Sequence, residues 1–156
     1  MATEIERKFL IKNDSWRSLA DVGTAYSQGY LVGSEHASVR VRIQGKRAFL
    51  NIKSATIDIT RQEFEYEIPL AEAKEMLETL CEKPLIDKVR YHVKNANHTW
   101  EIDVFSGDNK GLVVAEIELK DKDEYFEKPE WLGEEVSDDI RYYNVRLGKH
   151  PYKDWL

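Results

Sequence analysis

Apolar and polar positions alternate with a period of two over eight stretches of the chain, near residues 3–11, 25–32, 37–44, 48–54, 59–68, 86–95, 98–105 and 112–120. Side chains of a strand point alternately to its two faces, so this period predicts strands with one apolar and one polar face. The stretch SVRVRIQ is the plainest case: Ser38, Arg40, Arg42 and Gln44 share one face, and Val39, Val41 and Ile43 the other. Turn residues separate the strands. Gln44–Arg47 suits a hairpin because Gly45 supplies the positive φ that such loops use, and Lys94–His98 predicts a second one.

Three segments follow a helical period instead. NDSWRSLA opens with Asp14 or Ser15 as its expected cap, and Leu70, Ala73, Leu77 and Leu80 form an i, i+3, i+7 stripe after Pro69. Near the C-terminus Ser137 or Asp138 is the expected cap of DIRYYNVRL, with Gly148 and Pro151 as stop signals. Strands outnumber helices, so the expected fold class is α+β and mainly β: an antiparallel sheet or barrel with a few packed helices.

The polar faces carry an unusual arrangement of charge. On one strand alone, alternation of this kind is what a sheet with one solvated face shows. Here, however, like charges recur at i and i+2: Glu4 with Glu6, Arg40 with Arg42, Glu63 with Glu65, Lys88 with Arg90, and Glu116 with Glu118. Such neighbours lie about 7 Å apart and repel by somewhat under 1 kcal/mol in water, and by several-fold more in a sheltered site. A ligand would offset that cost. Paired carboxylates make an oxygen-rich site for a hard divalent cation such as Mg²⁺, and clustered Arg and Lys match phosphate oxygens. Closing about eight strands into a barrel would turn all these faces inward around one small ligand.

Composition narrows the picture. A chain of 156 residues with 42% hydrophobic residues and four Trp predicts one folded domain over residues 1–156. The net charge of −6 argues against general affinity for nucleic acid or anionic membrane. Cys81 is the sole cysteine, which excludes an intrachain disulfide and fits a reducing compartment; its place in a helical run predicts a buried thiol. No apolar run approaches the roughly 18 residues of a membrane span, and the N-terminus has no signal-like core, so a cytoplasmic location is expected. The four His lack metal-ligand spacing, although His92 shares the cationic edge of its strand and is placed to touch a phosphate. The four Trp read as packing residues.

EIERKFL, with its E-x-E-R-K pattern, is followed in order by RVR, LNIK, EFEYE, DKVRY and AEIEL. On these segments nearly the whole chain resembles the CYTH superfamily, also called triphosphate tunnel metalloenzymes; EEVSDDIRYYN is similar to the family's closing segment. The resemblance implies an eight-stranded antiparallel closed β-barrel with a charged interior, helices outside, and a C-terminal helix near one tunnel mouth. It implies Glu4, Glu6, Glu116 and Glu118 as ligands of Mg²⁺ or Mn²⁺, and Lys8, Arg40, Arg42, Lys53, Lys88 and Arg90 as phosphate-binding residues. Lys8, Glu4, Glu6 and Glu118 are the implied catalytic set. Glu63, Glu65, Asp103 and Arg61 would support a second metal or the basic side chains.

Divalent-metal-dependent hydrolysis of a triphosphate follows from that resemblance, and the compact form points to inorganic tripolyphosphate. Thiamine triphosphate or nucleoside triphosphate hydrolysis, class IV adenylate cyclisation, and noncatalytic polyphosphate binding are the alternatives. Cyclases of this superfamily carry a His-Phe element ahead of E-x-E-x-K, whereas here only Met1, Ala2 and Thr3 precede Glu4. The expected partner is a small triphosphate, without nucleic acid or membrane, on a monomer or homodimer.

Overall fold

The computed structural model of the chain describes residues 3–55 and 58–155. Its strands are β1 (Thr3–Ile11), β2 (Thr24–Gly33), β3 (Ala37–Gln44), β4 (Arg47–Ser54), β5 (Thr60–Ile68), β6 (Ile86–Asn95), β7 (His98–Phe105), β8 (Val113–Leu119) and β9 (Leu132–Glu135). They form one antiparallel sheet in the order β5-β4-β3-β2-β6-β7-β8-β1-β9. Closure comes from β5, which also pairs with β1 and joins the first eight strands into a barrel.

One edge of β1 serves two partners in succession. Thr3, Glu4 and Ile5 pair with Gln62, Arg61 and Thr60 of β5, and farther along Phe9 and Ile11 pair with Glu135 and Leu132 of β9. The short ninth strand thus takes backbone groups that β5 leaves behind, as unpaired sheet edges require. β9 is additional to the eight expected strands, because four residues, LGEE, are too few to display a period.

The hairpins follow the turn residues. Gly45 has φ of 60°, and Ala96 takes φ of 56° in the β6–β7 turn, a conformation an alanine adopts at some cost. Helix α1 (Leu70–Thr79) starts after Pro69 and buries Ala73 and Leu77. Leu80, expected in the same stripe, lies past the last turn and is exposed. The Asp14–Leu19 segment is a 3-10 helix capped by the Asn13 side chain, which accepts from the Ser15 N–H, instead of by Asp14 or Ser15. The C-terminal helix is broken: a 3-10 turn at Ile140–Tyr142, capped by Asp139 instead of Ser137 or Asp138, precedes the single-turn α2 (Asn144–Leu147).

Apolar faces point outward from the barrel and are covered there. Trp16 and Trp100, neither with any exposed surface, pack with Phe9, Ile117 and Trp131 over β1, β7 and β8. Trp100 meets Phe9 and Trp131 edge to face at 5.5 and 5.6 Å between ring centres, the arrangement aromatic quadrupoles favour. On another side Ala73 and Leu77 of α1, with the buried Cys81 just past its end, pack against Val41 and Ala48. A third cluster closes one end of the barrel. Tyr30, Ile86, Phe105 and Val114 continue the inward faces of their strands past the charged positions, and Leu147 of α2 packs against them.

Candidate functional site

The barrel encloses a cavity of about 410 Å³ lined by seven carboxylates and six Lys or Arg side chains. Strand parity puts them there. In the closed order β3 stands across from β8, and β4 across from β7. Arg40 and Arg42 of β3, with Lys53 of β4, therefore form a basic wall facing Glu101 of β7 and Glu116 and Glu118 of β8. Glu4, Glu6 and Lys8 of β1 adjoin the acidic wall, and Arg61, Glu63 and Glu65 of β5 adjoin the basic one. Of the residues the sequence points to, only Lys88 and Asp103 are absent from this lining.

Those two lie deeper along the barrel axis, next to the apolar end. Lys88 and Asp103 are 2% and 1% exposed, and the Lys88 ammonium donates to Asp103 Oδ2 at 2.7 Å. Asp103 also accepts two bonds from the Arg90 guanidinium, at 2.7 and 2.9 Å. Burial pulls Lys88 down to about 8 in spite of Asp103. The same burial works against ionising Asp103, but Arg90 and Lys88 outweigh it and hold its carboxyl low. This buried carboxylate aims Arg90, which does reach the cavity.

Lys8 lies among the acids of the opposite wall. Its ammonium is 2.7 Å from Glu116 and 3.3 Å from Glu6. Burial disfavours its charge, yet Glu116 and Glu6 more than compensate and push its pKa above the ordinary lysine value. Its backbone is clamped as well: Lys8 N–H donates to Ser137 Oγ and Lys8 C=O accepts from Val136 N–H. The Tyr143 ring covers both the Lys8 ammonium and the Arg61 guanidinium, at 5.3 and 5.2 Å, while its hydroxyl donates to Ser137 C=O.

A divalent cation fits the acidic wall. Single carboxylate oxygens of Glu6, Glu101 and Glu116 lie within 4.8 Å of one another. Burial, and then the neighbouring Glu116, pushes Glu6 up to about 7, whereas Lys8 and Arg90 outweigh the burial of Glu116 and hold it well below the usual carboxylate range, so Glu6 is the carboxylate that lacks a sufficient counter-charge. All-oxygen donors suit a hard ion. Glu118 is likewise raised, by burial and by Glu4, Glu101 and Glu63. Glu4 is differently placed. It accepts from Lys53 at 3.0 Å and lies 3.6 Å from Arg61, and these cations outweigh its burial and lower its pKa.

Glu101 stands outside the metal-ligand set that the sequence resemblance implies. Its signal was parity alone, since its i+2 neighbour Asp103 faces inward with it but is consumed by Lys88 and Arg90. His92 also lines the cavity, held between Asp21 (3.1 Å) and Glu101 (3.6 Å), which raise its pKa. Arg42 donates to Glu65 at 3.1 Å, and Lys53 lies 3.4 Å from Glu63. Arg40 is the exception on the basic wall: it is 7% exposed and makes no ion pair among the described residues.

Known proteins share this organisation. The chain is 49% identical to the inorganic triphosphatase of Acetivibrio thermocellus over 155 residues, 99% of both chains. It is 37% identical to the inorganic triphosphatase of Nitrosomonas europaea over 149 residues, covering 93% of this chain and 96% of that one. A crystal structure of an inorganic triphosphatase superposes with a TM-score of 0.67 at 35% identity, covering 95% of each chain. The CYTH domain matches residues 2–146. With the charged barrel interior and these relatives spanning nearly its full length, the chain belongs to the CYTH family.

Proposed function

We propose that this protein is a divalent-metal-dependent hydrolase of triphosphates that cleaves inorganic tripolyphosphate into pyrophosphate and phosphate. The observation that carries the reading is Arg40. A buried charge without a partner costs several kcal/mol, so a buried guanidinium with no ion pair, lining a cavity, calls for an anion from outside. Arg42, Lys53 and Arg90 would hold further phosphate oxygens, with Asp103 and Lys88 bracing Arg90 from behind.

The acidic wall gives the anion its counterion. Carboxylates in the lining outnumber Lys and Arg by one, so the side chains alone do not neutralise a polyphosphate. Glu6, Glu101 and Glu116 would hold the cation, Mg²⁺ or Mn²⁺, with Glu4 and Glu118 flanking it. When bound, such an ion lowers the pKa of a coordinated water and draws charge from phosphoryl oxygens. Lys8, its pKa raised, stays charged at neutral pH; it orients a phosphate and stabilises negative charge on the leaving oxygen and is a poor proton donor. Glu63 and Glu65 keep Lys53 and Arg42 in position. Water adds its oxygen to the terminal phosphorus, the bridging P–O bond breaks, and the electron pair leaves with pyrophosphate.

The relatives named as inorganic triphosphatases support the substrate. The whole chain would act as one unit in the cytoplasm, as a monomer or homodimer, on a small free substrate; no helix among the described residues is long and apolar enough to cross a membrane. The test is phosphate release from tripolyphosphate, ATP, thiamine triphosphate and pyrophosphate with Mg²⁺, with Mn²⁺ and with chelator. Preference for tripolyphosphate, lost on chelation, is expected; preference for a substrate with an organic group would overturn the assignment.

A further inference from the structure

Beside the arginines of the basic wall, on the same inward face, stand polar side chains with hydrogen-bonding atoms that find no partner. Gln28 of β2 and Asn51 of β4 have no exposed surface and do not line the cavity. They flank the arginine pair of β3: Gln28 stands opposite Arg42 in the β2–β3 register, and Asn51 opposite Arg40 in the β3–β4 register. Residues so paired share a face with Cβ atoms about 5 Å apart, and the diagonal partners are within reach of long side chains.

Five atoms here make no hydrogen bond although they are fully buried: Gln28 Oε1 and Nε2, Asn51 Oδ1, and the Nε of both Arg40 and Arg42. Asn51 does spend its amide nitrogen, donating to Glu65 at 2.8 Å, and the same Glu65 oxygen accepts from Arg42 Nη2. Leaving one buried polar atom unsatisfied costs about 1–3 kcal/mol, so five of them on adjoining strands point to an occupant. Its chemistry follows from the donor and acceptor inventory. Gln28 Nε2 and the two arginine Nε groups donate, whereas Gln28 Oε1 and Asn51 Oδ1 accept. Ionised phosphate only accepts and a metal cation binds only the oxygens, but water does both.

We propose that Gln28 and Asn51 hold internal water beside Arg40 and Arg42, and that Gln28 is thereby a positioning residue for phosphate binding. Water bonded to the Nε groups fixes each guanidinium plane from its stem side, which leaves the outer Nη groups aimed into the cavity. Pre-orientation of this kind lowers the ordering cost of binding a polyanion. It acts on substrate affinity and leaves the reacting phosphorus alone. The inference rests on the phosphate-binding role given above to the arginine pair.

The test compares Gln28→Met, close in shape but without hydrogen-bonding atoms, with Gln28→Asn, which keeps the amide. Three quantities are read: thermal midpoint, calorimetric affinity for tripolyphosphate in the absence of metal, and the KM and kcat of hydrolysis. For Gln28→Met a midpoint equal to or above wild type is expected, with affinity and KM weakened about tenfold and kcat within about twofold; Gln28→Asn recovers most of the affinity. Magnetic relaxation dispersion of water should also lose a long-lived internal site in Gln28→Met and keep it in Gln28→Asn. Unchanged affinity in Gln28→Met, or weakening in equal measure in both variants, overturns the inference. If Gln28→Met does not fold, the Gln28→Asn affinity and the wild-type water count decide. No long-lived water in wild type refutes the proposal, whereas binding without turnover in wild type would refute only the hydrolase reading.

Discussion

Glu6 and Glu116 bring carboxylate oxygens within 4.8 Å of each other inside the barrel, and the Lys8 ammonium bonds to both. Arg90, 3.6 Å from Glu116, adds to the charge on that side of the pair, and the imbalance falls on Glu6, raised to about 7 by burial and by Glu116. Its folded pKa is above its unfolded value near 4.5, so between those limits the folded state binds more protons than the unfolded one. Stability contributed by this group therefore falls as pH rises through that window. In metal-free protein, Glu6→Gln should gain stability relative to wild type from pH 4.5 to 7, and saturating Mg²⁺ should narrow the gap. Urea unfolding midpoints of the two proteins at pH 5 and 8, with chelator and with Mg²⁺, check this; a gap independent of pH would contradict it.

Arg40→Ala should separate function from stability. The side chain forms no ion pair among the described residues, so its removal should leave the unfolding free energy unchanged or raise it slightly. Loss of a charge-assisted contact to phosphate should lower kcat/KM for tripolyphosphate by about 10–100-fold, mainly through KM. Steady-state kinetics alongside denaturant unfolding make the comparison. Unaltered kinetics would remove Arg40 from the site.

Asp103→Asn should have the opposite balance. Asp103, at 1% exposure, neutralises Lys88 and Arg90, and its loss strands the buried Lys88 ammonium against a neutral amide while Arg90 keeps Glu101 at 3.2 Å. Destabilisation of about 3–5 kcal/mol is expected, as for other buried ion pairs deprived of one partner. Adding Lys88→Met should return part of it, since the stranded charge is then gone. Denaturant unfolding of the single and double variants measures the coupling.

Much of this architecture is legible in the sequence because a two-residue period survives wherever a strand has unlike faces. SVRVRIQ becomes β3 over Ala37–Gln44, and parity alone directs Glu4, Arg40 and Glu118 into the cavity. Parity says nothing about depth along the barrel axis. Lys88 and Arg90 share a face, but Lys88 lies two residues nearer the apolar end and is sealed behind Asp103, whereas Arg90 reaches the cavity. Glu101 acquires its neighbour Glu116 from the next strand and Glu6 from the first, through a register the local pattern does not carry. The C-terminal segment departs from its sequence pattern for another reason: its helical period is interrupted at Tyr143, whose ring lies over Lys8 and Arg61, and tertiary contacts override the local preference there.

The most direct measurement uses Glu116→Gln, which keeps the shape of a residue on the acidic wall and leaves Lys8 its second partner, Glu6. Phosphate release from tripolyphosphate with Mg²⁺ is compared with calorimetric binding of tripolyphosphate to the same folded variant. A metal-assisted hydrolase predicts release lowered at least about 100-fold with the dissociation constant within a few-fold of wild type. Release at the wild-type rate, or tripolyphosphate binding abolished along with it, would contradict the division of the tunnel into an acidic metal wall and a basic phosphate wall.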